Sequence, residues 1–169
     1  MDYQYYERKI NDVITKCPIE AGVEILAYNV FDSILSPKEV TVVDINRVRK
    51  DRDKRVTTYG GVPDIIIVSN DFVFAKEDKG SVYGIVEVKA TNILCKETKQ
   101  IKGQKGKAKH YFHTNGLVWV YYENGKCTKE FVLTKEKVKK VTKSQKVTID
   151  ENEFVKLINE IREISWMNR

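Results

Sequence analysis

Apolar residues recur at helical spacing in three parts of the chain. The pattern predicts a short helix over 3–16, a longer helix over 18–35 and a C-terminal helix over about 150–166, each with one apolar side. The middle stripe is the broadest, with Val23, Leu26, Ala27, Val30, Phe31, Ile34 and Leu35. Ser36-Pro37 is expected to end that helix, because the residue before a proline disfavours the helical conformation.

Short apolar runs separated by turn residues predict six strands. They are EVTVVDI (39–45), DIIIVSN (64–70), FVFAK (72–76), SVYGIVEVKAT (81–91), GLVWVYYE (116–123) and KEFVLT (129–134). Ser69-Asn70-Asp71 is predicted to turn between the second and third strands, and Asn124-Gly125 between the last two. The lysine-rich segment 97–112 is predicted to be helical despite its glycines.

This order of elements predicts a mixed β-sheet flanked by helices, in the α/β or α+β class. A length of 169 residues fits one domain over 1–169, with a core of about 18–135 and a C-terminal helix. Apolar residues make up 41% and charged residues 32%, the balance of an ordinary globular protein. Without a long apolar stretch or a signal-peptide pattern, the sequence predicts a cytoplasmic protein with no membrane partner.

The net charge of +6 is concentrated in two lysine clusters, at 96–109 and 135–146. Two basic clusters on a small domain suit a polyanion such as a phosphate backbone. A solvated lysine-rich surface explains the same charge equally well. The C-terminal helix offers an apolar face that fits either a homodimer or packing on its own sheet.

The spacing of the cysteines and histidines gives little support for a disulfide, a metal-thiolate site or a zinc site. Cys17, Cys95 and Cys127 are odd in number and far apart, so they predict reduced thiols rather than disulfides or a metal-thiolate site. His110 and His113 could begin a zinc site, but no third or fourth ligand follows at a suitable spacing.

The chemistry that stands out lies in two strands. Asp64 follows Pro63 at the start of one apolar strand, and Glu87 and Lys89 alternate with valines in another. If these strands are neighbours, the two carboxylates converge, and the Val88 carbonyl adds a third oxygen. Two carboxylates in a partly buried site repel each other unless a cation lies between them.

Oxygen ligands of this kind are preferred by Mg²⁺ and Mn²⁺. Lys89 would point at the same place, where an ammonium can orient a water molecule or stabilise charge on a phosphorane-like transition state. A metal ion, an acid pair and a lysine suffice for phosphodiester hydrolysis. Each half of the pattern also has a structural explanation: a solvated Glu–Lys ladder, or a Pro-Asp turn.

The stretches GGVPDIIIV and YGIVEVKAT resemble the PD-(D/E)XK nuclease superfamily, whose fold is restriction-endonuclease-like. The resemblance spans roughly residues 20–125 and is strongest at Pro63-Asp64 and Glu87-Val88-Lys89. It implies that Asp64 and Glu87 are metal ligands and that Lys89 is the catalytic lysine. The segment from Gly103 to Lys126 is also similar to the N-terminal nuclease domains of type I restriction motor subunits.

Members of the superfamily often add a glutamate on the first core helix and a Gln–Tyr pair after the lysine strand. Resemblance therefore adds Glu24 as a further metal ligand, preferred over Glu20, whose place in the first helical turn is already explained by the helix dipole. It also adds Gln104 to the catalytic group. A spacing of seven residues would place Gln104 and Tyr111 on one face of a helix.

The sequence thus predicts a stand-alone, Mg²⁺- or Mn²⁺-dependent endodeoxyribonuclease. The phosphate contacts are assigned to Lys102, Lys105, Lys107, Lys109 and Tyr111. Two alternatives stay open at this level. One is a module of the same fold that binds DNA or regulates a defence system without cutting, and the other is a nuclease for RNA or branched junctions.

Overall fold

The computed structural model describes residues 1–35, 40–49, 52–143 and 145–167 as a sheet with flanking helices. In chain order the elements are α1 (Tyr3–Lys16), α2 (Glu20–Leu35), β1 (Val40–Asp44), β2 (Ile65–Ser69), β3 (Val82–Val88), α3 (Lys99–Gln104), β4 (His110–Thr114), β5 (Val118–Glu123), β6 (Lys126–Val132) and α4 (Glu151–Glu163). The predicted mixed α/β class is confirmed.

The six strands lie side by side in the order in which they occur along the chain. Every neighbouring pair is antiparallel except β3 and β4, which are parallel. Parallel neighbours need a crossover connection, and here the crossover contains α3. This topology carries the chain from the end of β3, across one face of the sheet, to the start of β4.

The two faces of the sheet have different covers. One face packs against α1, α2 and α4 around a large apolar cluster that includes Val86 and Val88. The other face packs against α3 and the loop before β2, in a smaller cluster that includes Ile85 and Ile101. Because strand side chains alternate, Glu87 shares the second face with Ile85.

The face covered by three helices is dry and rich in aromatic rings. Phe31 of α2 contacts Phe112 and Trp119, with ring centroids 5.2 and 5.9 Å apart. The apolar side of α4 is buried within the chain, through Phe154, Leu157, Ile158 and Ile161. That face is used for packing on the protein's own core, and it leaves no apolar stripe on α4 for a homodimer.

The predicted strand 72–76 is wrong, whereas the tight turn at Ser69-Asn70-Asp71 is present, closed by the Phe72 amide donating to the Ser69 carbonyl at 3.0 Å. The Val73 carbonyl accepts from the Arg55 guanidinium at 2.7 Å, and the Ala75 amide donates to Asp53 at 2.9 Å. The side chains of Arg55 and Asp53 thus form hydrogen bonds with backbone groups that a strand would use for pairing in the sheet. The chain instead makes a longer excursion, and β2 pairs with β3.

The predicted helix 97–112 is also wrong over its second half. Helix α3 ends at Gln104, and residues 110–114 form the buried strand β4. The run His-Tyr-Phe-His-Thr is rich in residues that favour strands, and pairing with two neighbours overrides the helical spacing. The Asn124-Gly125 hairpin turn is confirmed, with positive φ at both residues. The predicted helix end at Ser36-Pro37 lies outside the described residues.

Among the residues that the structure describes, no helix is both long enough and apolar enough to cross a membrane.

Candidate active site

Asp64 and Glu87 come from neighbouring strands and face the same side of the sheet. Ile65 of β2 pairs with Val86 of β3, so one further step of the antiparallel register places Asp64 opposite Glu87. The Asp64 carboxylate accepts a hydrogen bond from the Val88 amide at 2.7 Å. The predicted convergence of two acids at the end of these strands is therefore present in the fold.

Lys89 lies directly after β3 and turns back to the acid pair. Its Nζ donates to Glu87 Oε1 at 2.5 Å, and the Glu20 carboxylate lies 3.8 Å from the same nitrogen. The Lys89 backbone amide donates to the Thr114 carbonyl of β4 at 2.8 Å, which fixes the position of the residue. The side chain is about one-fifth exposed, so the ammonium is held in a partly desolvated site.

Two glutamines of α3 complete the contacts of Glu87. Gln100 donates to Glu87 Oε1, and Gln104 donates to Glu87 Oε2 at 2.8 Å. The Tyr111 hydroxyl of β4 then donates to the Gln104 carbonyl oxygen at 2.8 Å. Gln104 and Tyr111 do meet at the site, although they come from a helix and a strand rather than from one helical face.

Burial and charge repulsion set the proton affinities of the acid pair. Burial raises the pKa of Asp64 to about 8, and the negative charge of Glu87 adds to the rise. Burial also raises the pKa of Glu87, against the opposing pull of Lys89. For Lys89, burial lowers the pKa, but the Glu87 carboxylate outweighs it and the net pKa is raised. The lysine is therefore an ammonium at neutral pH.

The donor set fits a hard divalent cation. Three of the four lone-pair positions of the Glu87 carboxylate accept hydrogen bonds, which leaves one position on Oε2. Asp64 Oδ1 has no hydrogen-bond partner among the described residues. Over the same residues, no three His, Cys, Asp or Glu side chains form a ready-made metal cluster. Mg²⁺ is commonly held by one or two carboxylates plus waters and substrate phosphates, so a two-carboxylate site suits it.

Val88 contributes to this site through its amide, which anchors Asp64. The proposed role of its carbonyl as a metal ligand stays a prediction.

Glu24 lies on α2 one turn beyond Glu20, but it has partners of its own. Both of its carboxylate oxygens accept from the Asn46 side chain, at 2.5 and 2.6 Å. With Asp44 it lines a shallow pocket of about 310 Å³, and burial raises its pKa. The contacts with Lys89 belong to Glu20. Geometry thus favours Glu20 as the helix acid of the site, and the assignment to Glu24 stays a prediction.

The lysines predicted to hold phosphates differ in their surroundings. Lys105 pairs with Glu97 and lies over the Tyr122 ring, whereas Lys102 is mostly exposed with Glu97 3.9 Å away. Lys107 is exposed and Lys109 is partly buried. The assignment of Tyr111 to nucleic-acid contact is wrong for this conformation, because the side chain is completely buried and serves to hold Gln104.

Sequence reasoning missed Gln100 and set Glu20 aside. The spacing of Gln100 and Gln104, four residues apart on one helical face, is a signal that could have found the first. For Glu20 the sequence carried no signal beyond its place in the first helical turn. His113, which pairs with Glu87 in the register of β3 and β4, is buried, and burial lowers its pKa to about 4.

No protein-family model, no curated protein and no solved structure matches this chain.

Proposed function

We propose that this protein is a cytoplasmic, metal-dependent nuclease that hydrolyses DNA phosphodiester bonds with a site of the PD-(D/E)XK kind. The observation that carries the proposal is the contact of the Lys89 ammonium with Glu87, beside Asp64 on the adjacent strand. Desolvation raises the pKa values of Asp64 and Glu87, and the charge of Glu87 adds to the rise at Asp64. A bound cation would relieve this repulsion.

Asp64 and Glu87 would hold Mg²⁺ or Mn²⁺, which when bound supplies Lewis-acid stabilisation of the charge that develops on the phosphate. Lys89 stays protonated at neutral pH, so it acts as a donor rather than as a base. Its N–H groups can orient the attacking water and stabilise negative charge on the phosphate oxygens. Gln100 and Gln104 fix the Glu87 carboxylate, and Tyr111 fixes Gln104.

The first experiment is a panel of nucleic acids incubated with the purified protein. Linear, circular, single-stranded and branched DNA, together with RNA, are each tested with Mn²⁺, with Mg²⁺ and with EDTA. The proposal expects cleavage of DNA with a divalent ion and none with EDTA. Cleavage of RNA alone would redirect the proposal to a ribonuclease, and cleavage only of branched DNA would make the protein a junction nuclease.

One observation favours a second candidate, a DNA-binding module that does not cut. The Glu87 carboxylate already accepts hydrogen bonds from three nitrogen donors, and a carboxylate with so many partners can be stable without a cation. Lys89→Ala separates the two candidates. An enzyme loses cleavage and keeps DNA binding, whereas a binding module shows no cleavage with any ion before or after the change.

A further inference from the structure

An open groove lies on the side of α3 that carries Lys102 and Gly103. It has a volume of about 770 Å³, and its walls include Lys54 and Tyr59 from the loop before β2, and Lys107 from the turn after α3. We call these five residues and the space between them the lysine groove. Gln100 and Gln104 of the same helix contact Glu87, so α3 connects the groove with the candidate active site.

Tyr59 is the most exposed of the large hydrophobic side chains in the described residues. Its backbone, by contrast, is held in a closed turn. The Thr58 amide donates to the Gly61 carbonyl at 3.2 Å, and the Gly61 amide donates back to the Thr58 carbonyl at 3.1 Å. The Thr58 hydroxyl accepts from the Gly60 amide at 3.0 Å. An exposed aromatic ring therefore stands on a fixed support.

The turn that carries Tyr59 also packs directly against α3. A Cβ atom at Gly60 would lie 2.2 Å from the Gln100 carbonyl oxygen, and one at Gly103 would lie 2.4 Å from the Gly60 nitrogen. Only glycine at both positions allows the two backbones to approach this closely. The glycine at 103, which weakens α3 as a helix, is thus explained by the packing that places Tyr59 at the rim of the groove.

The groove is positively charged and poorly neutralised. Among the described residues the ammonium groups of Lys54 and Lys107 form no salt bridge, although the Lys54 backbone amide donates to Glu77 at 2.9 Å, and Lys102 has Glu97 3.9 Å away. Lysine ammonium groups spaced along a groove suit the successive phosphates of a nucleic-acid strand. An apolar ring at the edge of such a groove suits the face of a base.

We propose that Tyr59 is a stacking platform for an unpaired base of a nucleic-acid strand whose phosphates lie in the lysine groove. In a duplex the base faces are covered by their neighbours, so only a single-stranded or unpaired segment offers a free face to the ring. The inference rests on the proposed function in that it assigns the substrate class of the same site: a strand with unpaired bases beside the scissile bond.

Binding in EDTA tests the inference without cleavage. Fluorescence anisotropy of a labelled single-stranded oligonucleotide is compared with that of a blunt duplex of the same sequence. Tyr59→Ala is expected to weaken single-strand binding about tenfold and duplex binding less than about twofold. Tyr59→Phe keeps the ring and should bind as the wild type does. Phe74→Ala, another exposed aromatic on a loop, serves as the matched control and should have no effect.

A second readout reports stacking itself. A strand containing 2-aminopurine should lose fluorescence when its base stacks on Tyr59, and the quenching should disappear in Tyr59→Ala and persist in Tyr59→Phe. Equal losses for single strand and duplex, failure of Phe to restore binding, or unchanged binding by Tyr59→Ala would each overturn the inference. Absence of binding to any nucleic acid would overturn it as well.

The two proposals fail in distinguishable ways. If the wild type cuts DNA but Tyr59→Ala binds single strands normally, the substrate inference fails and the nuclease proposal stands. If binding depends on Tyr59 but no ion supports cleavage, the nuclease proposal fails and the stacking platform stands. Far-UV circular dichroism of each variant excludes loss of folding, which is not expected for so exposed a side chain.

Discussion

Two acidic sites of the protein, the pair of Asp53 with Arg55 and the pair of Asp64 with Glu87, are built on opposite principles. Asp53 is completely buried and accepts from the Arg55 guanidinium at 2.6 and 3.0 Å and from the Ala75 amide at 2.9 Å. The Arg55 partner holds the pKa of Asp53 below its usual value. In the second pair, burial and mutual repulsion raise the pKa values of Asp64 and Glu87.

The difference separates a structural site from a candidate functional one. Arg55 also donates to the carbonyls of Val73 and Gly80 and lies over the Phe72 ring, so its charge pins the loop after β2. There the charges of Asp53 and Arg55 match each other. At the acid pair one ammonium, Lys89, lies beside the buried Glu87 and the partly buried Asp64, and a cation from outside would balance the second carboxylate when it ionises.

The largest effect of a single substitution is expected at Asp64. Asp64→Asn should lower DNA cleavage at least about a hundredfold, because it removes a carboxylate that would hold the cation. Thermal stability in EDTA should be retained at neutral pH and increased above pH 8, where the ionised Asp64 carboxylate repels Glu87. Rates are measured with Mn²⁺ on the DNA of the panel that the wild type cuts, with Asp53→Asn as the matched control. Normal cleavage by Asp64→Asn would remove the acid pair from the proposed mechanism.

Asp53→Asn should have the second largest effect, on stability rather than on catalysis. Removing one partner of a buried ion pair leaves Arg55 uncompensated and should cost about 3 kcal/mol in the free energy of unfolding. Urea denaturation measures the loss, and the rate per folded molecule should be unchanged. Asp12→Asn, at an exposed pair with Lys16 on α1, is the control and should change stability by less than about 1 kcal/mol.

The two sites should also give stability profiles of opposite slope with pH. The folded pKa of Asp64, about 8, lies above its unfolded value of about 4, so the metal-free protein should lose stability as pH rises between these values. The pKa of Asp53 is lowered, so its contribution is present at neutral pH and lost on acidification. Urea titrations in EDTA should show that Asp64→Asn reduces the decline in unfolding free energy toward pH 8 by about 2 kcal/mol. This is less than the pKa of Asp64 alone implies, because the repulsion is shared with Glu87. An unchanged decline would contradict the repulsion.

The smallest expected effect is at Tyr111, which touches the site only through Gln104. Tyr111→Phe removes one buried hydrogen bond and should cost about 1 kcal/mol of stability and less than about tenfold in the rate of cleavage. Tyr122→Phe is the matched control, because its hydroxyl has no hydrogen-bond partner among the described residues. Equal effects from the two changes would show that Tyr111 does not position Gln104.

Regular periodicity made the helices and the sheet class predictable, whereas side-chain contacts decided the exceptions. The stripe of α2 and the Asn124-Gly125 turn are local patterns, and both predictions are confirmed. Segment 72–76 alternates like a strand, but Asp53 and Arg55, about twenty residues earlier, occupy its backbone groups. No local pattern reveals such a contact.

For the site, the sequence alone placed Asp64 at the start of one strand and Glu87 and Lys89 within another, alternating with valines, because strand periodicity is a property of neighbouring residues; the structure ends that strand at Val88. Only the tertiary structure decided which partners meet them. The crossover through α3 brings Gln100 and Gln104 onto Glu87, the start of α2 brings Glu20 near Lys89, and β4 brings Tyr111 under Gln104. Those contacts join residues far apart in the chain, and their formation depends on the packing of whole elements rather than on local conformational preference.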